Sequence, residues 1–224
     1  MIAVTGMHRS GTSCVTGILE KCGYSLGTSH PLFNESRVDN QKGHFENRSV
    51  TAINDAILKA AGGSWYQIPS PESIETAGEQ FVSHIKDFCG AFDGNIFKDP
   101  RLCCTLKVWQ KYCSRIEAAV ICLRHPVAVA ESLNTRNGLP LPAGLELWYQ
   151  YNARFFLSGL QTAILMVDYD NLKKNLEFEV SSLLRGLGAK LGLPEIRSRI
   201  TGFYSAELDH APRNATGRSS IPSH

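Results

Sequence analysis

The chain has 224 residues, 43% of them apolar and 20% charged, with a formal net charge of +2. That length suits one domain with a substantial core, the composition is not that of a disordered or fibrous chain, and the charge is too small for a broad nucleic-acid-binding face. No apolar stretch approaches the roughly 18 residues needed to span a bilayer, and no signal peptide precedes Ile2, so a cytoplasmic protein without a membrane span is the expectation. The seven cysteines form no C-x-x-C pair, and reduced thiols fit that location. Sequons at Asn34, Asn47 and Asn214 matter only on a secretory route.

Taken in chain order, Ile2–Thr5 reads as a strand, Gly6 to Ser13 as a glycine-bearing loop, and Thr12–Lys21 as a helix. Tyr24–Leu26 is a weaker strand candidate, and Gly27 to Gly43 is a polar loop long enough to suggest function. Helices are expected over Ser49–Ala61 and Pro71–Phe88, then strands over Asn95–Lys98 and Ala118–Leu123. A helix over Pro126–Thr135, a loop over Asn137–Ala143, a helix over Leu145–Leu160, a strand over Ile164–Val167 and a helix over Phe178–Lys190 follow. Short apolar runs that alternate with helical stretches indicate parallel strands covered on both faces. The expected fold is therefore a three-layer α/β domain over residues 1–213, with a mostly parallel sheet of four to five strands and helices on both faces. Residues 214–224 read as a tail.

Gly6-Met-His-Arg-Ser-Gly11-Thr12-Ser13 follows a strand and opens a helix, the setting in which backbone N–H groups and the helix dipole converge on an anion. A nucleotide triphosphatase loop reads G-x-x-x-x-G-K-[ST], and here the lysine position holds Thr12. The cation lies instead at Arg9. ATP-dependent phosphoryl transfer relies on that lysine together with Mg²⁺, whereas a sulfuryl group carries less charge. Val120 to Leu123 is a second strand that ends on a cation, Arg124, followed by Pro126 at a helix start and Ser132 eight residues on. Guanidinium suits bidentate contact with phosphate.

Arg9-Ser10-Gly11-Thr12-Ser13, with Arg124 and Ser132, resembles the sulfotransferases that use 3′-phosphoadenylyl sulfate, which have a P-loop-like topology. The resemblance implies that the first loop, Arg9 to Ser13, holds the 5′-phosphosulfate without a metal, and that Arg124 and Ser132 hold the 3′-phosphate. It also implies a strand lysine acting on the leaving oxygen, for which Lys98 is the candidate, and a late basic residue returning to the nucleotide, for which Arg213 is the candidate. The acceptor would be a small molecule, lipid or carbohydrate bearing a hydroxyl or amine, bound by variable loops.

Attack on sulfur releases a proton, so a general base is expected. The run Gly43-His44-Phe45-Glu46-Asn47 resembles bacterial and carbohydrate-type members, which place a glutamate after the first helix, and makes Glu46 the first candidate. His44 and Asp99 remain alternatives. Arg101 either contacts a substrate or pairs with Asp99, and Trp65, Tyr66, Trp148 and Tyr149 either line an acceptor pocket or belong to the core. Asp168, at a strand end, reads as a helix cap or as a Mg²⁺-binding aspartate of a kinase. A P-loop kinase and a catalytically inactive nucleotide-binding protein are the rival readings.

Overall fold

The computed structural model describes residues 1–32 and 45–201. Four strands, β1 (Ile2–Thr5), β2 (Ile96–Lys98), β3 (Ala118–Leu123) and β4 (Ala163–Asp168), form one all-parallel sheet in the order β2-β1-β3-β4. Val4 lies level with Lys98 on one side and Val120 on the other, so the ends of β1, β2 and β3 fall together. Alternation along these strands divides two cores. Ala3, Phe97, Ala119 and Ile121 face one, and Val4, Ile96, Val120 and Cys122 face the other.

The first core is covered by α2 (Arg48–Ala60), α3 (Pro71–Gly78), α4 (Val82–Ala91), α5 (Leu102–Tyr112), α6 (Pro126–Asn137) and α7 (Leu141–Leu157). The second lies beneath α1 (Thr12–Lys21), α8 (Tyr169–Lys174), α9 (Leu176–Gly186) and α10 (Leu193–Ile200). This is the expected three-layer arrangement with four strands. Among the described residues no helix is long and apolar enough to cross a membrane.

Several local expectations are corrected. Tyr24–Leu26 is not a strand: the Ser25 carbonyl accepts the N–H groups of Asn95 and Ile96 at 2.8 and 3.0 Å, a strap across the entry to β2 rather than a ladder. The stretch from Pro71 to Phe88 breaks at a 3-10 turn over Glu79–Phe81, with Gly78 packed so closely on Val108 that a Cβ there would stand 2.4 Å from a methyl carbon. The expected loop over Asn137–Ala143 shrinks to Gly138 to Pro140, because Leu141 and Pro142 already form the first turn of α7. Helix α5 has no counterpart in the sequence reading. Its opening signal is Asp99, whose Oδ1 accepts the Arg101 N–H at 2.8 Å, followed by Pro100 in the turn just ahead of the N-cap.

Cys89 and Cys113 form a disulfide, against the expectation of seven reduced thiols; Cys14, Cys22, Cys103, Cys104 and Cys122 are in no disulfide. The packing of α4 on α5 brings the two Cα atoms to 6.1 Å although they are 24 residues apart, a proximity their spacing does not announce.

Two devices fix the neighbourhood of Glu46. Asp93 accepts the N–H and hydroxyl groups of both Thr28 and Ser29, at 2.7 to 3.1 Å. Leu32 bridges to Asn47, and the Arg48 N–H donates to the Pro31 carbonyl at 3.0 Å, so the chain on either side of 33–44 is tied together at the start of α2.

Candidate active site

The turn from β1 into α1 requires two glycines. Gly6 has φ 144°, and a Cβ there would stand 2.4 Å from the Cys122 carbonyl oxygen. Gly11, at φ 86°, caps α1 against the Tyr169 ring, which a Cβ would meet at 2.1 Å. Between them Arg9 adopts φ 71°, a left-handed conformation uncommon for a residue with a side chain and recurrent at functional sites. The first N–H groups of α1, which have no partner within the helix, therefore open onto a tight loop.

Arg9 reaches the second motif directly. Its Nε donates to Ser132 Oγ at 2.7 Å, and Arg124 Nη1 donates back to the Arg9 carbonyl at 3.0 Å. Arg124 also stands 5.4 Å from the centroid of the Tyr169 ring, and its own carbonyl accepts the Trp148 indole N–H at 2.9 Å. Arg124 Nε and Ser10 Oγ are buried and have no hydrogen-bond partner among the described residues. Two orphaned donors beside the first turn of a helix are chemistry for an anion.

At the end of β2, Lys98 Nζ donates to Glu46 Oε1 at 2.7 Å and to Ser13 Oγ at 3.3 Å. The pair is sheltered, with side-chain exposures of 2% for Lys98 and 17% for Glu46. Burial opposes ionisation of Glu46, but the Lys98 charge and hydrogen bond prevail and hold its pKa to about 2. Glu46 is positioned by its neighbour Asn47, whose side chain caps α2 by accepting the N–H groups of Ser49 and Val50.

Asp99 and Arg101 are engaged with each other and with α2. Asp99 is fully buried and accepts from Thr51 Oγ1 at 2.7 Å and from Arg101 Nη1 at 3.1 Å, while Arg101 Nε pairs with Asp55 at 2.5 Å. Burial raises the Asp99 pKa, and Arg101 works against that. Asp168 caps α8, its Oδ1 accepting the N–H groups of Asp170 and Asn171 at 2.9 and 3.0 Å. Trp65 lies against His8, with ring centroids 4.9 Å apart, and its carbonyl accepts the Tyr151 hydroxyl at 2.9 Å. Tyr66 and Tyr149 are exposed. His44, Arg213 and the expected tail lie outside the described residues.

The structure thus gathers Arg9, Ser10, Gly11, Thr12, Ser13, Lys98, Glu46, Arg124 and Ser132 at adjoining strand ends, where open parallel sheets bind ligands. His8 also stands here, although its residue type alone does not mark it out. Its signal was only its place beside Arg9 inside the loop.

No family model and no curated protein matches the chain. Solved structures do resemble it. The sulfotransferase domain from the Synechococcus PCC 7002 olefin synthase aligns over 94% of this chain and 79% of its own, with a TM-score of 0.50 and 14% identity. The sulfotransferase domain from the curacin biosynthetic pathway aligns over 89% and 77%, with a TM-score of 0.48 and 16% identity. The chain has the α/β fold of the olefin-synthase domain, with an all-parallel sheet between two helical layers.

Proposed function

We propose that the chain is a sulfotransferase that uses 3′-phosphoadenylyl sulfate as donor and a hydroxyl or amine of a small molecule, lipid or carbohydrate as acceptor. The carrying observation is the hydrogen bond from Arg9 to Ser132, with Arg124 on the Arg9 carbonyl. Two anion-binding motifs far apart in sequence occupy one place, as a donor with two separated phosphate groups requires. The fold likeness to a sulfotransferase domain supports the same reading.

The donor supplies a sulfuryl group on a phosphosulfate anhydride. Arg9 and the loop from Ser10 to Ser13 would hold the phosphosulfate, and Arg124 with Ser132 the 3′-phosphate. Ser10 Oγ and Arg124 Nε, both buried without partners among the described residues, fit that anionic group. Glu46 accepts the proton of the attacking acceptor as the new bond to sulfur forms and the bridging sulfur–oxygen bond breaks. Lys98 and Arg9 stabilise the negative charge that develops on the departing phosphate oxygen. Because Lys98 bridges Glu46 and Ser13, base and leaving-group stabiliser are set relative to each other before any ligand arrives.

The test is a thermal-shift comparison of adenosine 3′,5′-bisphosphate with ATP plus Mg²⁺, followed by transfer assays with labelled donor. Stabilisation by the bisphosphate and label in an acceptor are expected. Stabilisation by ATP–Mg²⁺ alone would overturn the proposal in favour of a kinase, and bisphosphate binding without transfer to any acceptor would favour an inactive nucleotide-binding protein.

A further inference from the structure

His8 stands in the loop between Gly6 and Arg9 and has no part in the reaction described above. Its ring is held by Trp65, tilted at 54° with centroids 4.9 Å apart, and by the edge of Tyr151 at 5.8 Å. The residue as a whole is partly buried, but its Nε2 is fully covered and makes no hydrogen bond to any described residue. Buried polar atoms in native folds are nearly always partnered, so such an orphan asks for a ligand or a functional reason. The charged groups that act on the ring locate it: Arg101, Lys98 and Arg136 on the positive side and Glu46 on the negative. Burial first, and then those cations, push its pKa well below 6.5, so the imidazole is neutral at neutral pH.

We propose that His8 is a further catalytic residue, whose Nε2–H donates a hydrogen bond to the attacking oxygen of the acceptor and holds that oxygen against Glu46. The inference rests on the sulfotransferase reading and names its acceptor class. A hydroxyl oxygen has one proton and two lone pairs. Glu46 takes the proton, one lone pair forms the bond to sulfur, and the second is left for a donor. Glu46 is acceptor-only, so the complementary contact from His8 has to be a donor, which a neutral imidazole supplies. An amine nitrogen has a single lone pair, and attack consumes it, leaving Nε2–H with nothing to bind. His8 therefore selects hydroxyls over amines. It keeps its own proton throughout: the hydroxyl proton goes to Glu46, one sulfur–oxygen bond forms and one breaks. Trp65, partly exposed between α2 and α3, packs on the His8 ring and would have to shift for the acceptor to reach Nε2.

The experiment compares the native protein with His8→Phe, which keeps the ring contacts, and His8→Gln, which returns an amide N–H near the Nε2 position. Each is assayed with radiolabelled 3′-phosphoadenylyl sulfate against methyl glucoside, phenol, an aliphatic alcohol, benzylamine and water, and each is titrated with adenosine 3′,5′-bisphosphate. All three are expected to bind the bisphosphate within about twofold of one another. The native protein transfers to hydroxyls, His8→Phe loses about a hundredfold in kcat, and His8→Gln recovers about tenfold of that loss. Native rates in His8→Phe, or a native preference for benzylamine, overturn the role of His8 while leaving the sulfotransferase reading intact. If His8→Phe does not fold, His8→Gln decides: transfer within about tenfold of native supports the donor role, and a loss of about a hundredfold or more overturns it. A native protein that neither binds the bisphosphate nor consumes donor overturns the sulfotransferase reading, and His8 with it.

Discussion

Arg9 and Ser132, 123 residues apart in sequence, are joined by a hydrogen bond of 2.7 Å that fuses the loop after β1 with the first turns of α6. Replacing Arg9 by Ala removes both the loop cation and this tie, and is expected to lower transfer by at least about a hundredfold. Ser132→Ala is a milder change. It should weaken binding of adenosine 3′,5′-bisphosphate by about tenfold, equivalent to roughly 1.4 kcal/mol. Calorimetric titration and a transfer assay read the two effects separately, and an unimpaired Arg9→Ala protein would remove the central assignment.

Glu46→Gln preserves shape and removes the proton acceptor. Transfer is expected to fall by roughly 10²- to 10⁴-fold, with bisphosphate affinity nearly unchanged because Glu46 faces Lys98 rather than the Arg9–Ser132–Arg124 group. A rate within threefold of native would move the base elsewhere.

Stability should fall in acid for a reason that the same variant isolates. The Glu46 carboxyl is held at about 2 against an ordinary value of 4.5, through the Lys98 charge and hydrogen bond acting against burial. A carboxyl depressed in the folded state contributes stability above its unfolded value and loses it as pH falls through the folded one. The window therefore runs from about 4.5 down to about 2. Asp93 adds to the loss at the acid end, because the hydroxyl and N–H groups of Ser29 and Thr28 hold its pKa low as well. The melting temperature of the native protein should drop more steeply than that of Glu46→Gln between roughly pH 5 and pH 2.5. Parallel curves would show that the ion pair contributes nothing to stability.

Asp93→Ala releases four donors on Thr28 and Ser29. Hydrogen exchange at Gly27 to Leu32 should accelerate while the β1–β3 ladder stays protected. Equal acceleration in both would mean that the clamp supports the whole domain rather than one approach to Glu46.

The disulfide predicts five titratable thiols in protein purified and denatured without reductant. Cys89→Ser should lower the unfolding free energy by about 3.5 kcal/mol, the loop-closure value for a link of this span. Seven thiols in that assay would count against the bond.

What the sequence made legible was local. The strand endings at Thr5, Lys98 and Leu123, and the glycine positions around Arg9, carry their own steric and periodic signatures, and these fix the sheet and the loop. Pairings between distant segments left no such trace. The Cys89–Cys113 link follows from how α4 packs on α5, and the engagement of Arg101 with Asp55 as well as Asp99 depends on α2 lying beside α5. Helix α5 was missed because Arg101, at its N-cap, offers no side-chain acceptor, and Asp99, two residues earlier, does the work from outside the helix. His8 escaped notice because a histidine in a loop looks ordinary until Trp65 and Tyr151 close around it.

Asn47, buried to 1% exposure, fastens the start of α2, and Asn54, about two turns further on, accepts from Thr105 and Trp109 of α5 at 2.8 Å each. Glu46 thus stands at the head of a helix that is capped at its start and fastened to α5 along its length. The position of the carboxylate is in this way a matter of helix packing, set by side chains of α2 and α5 that take no part in the chemistry.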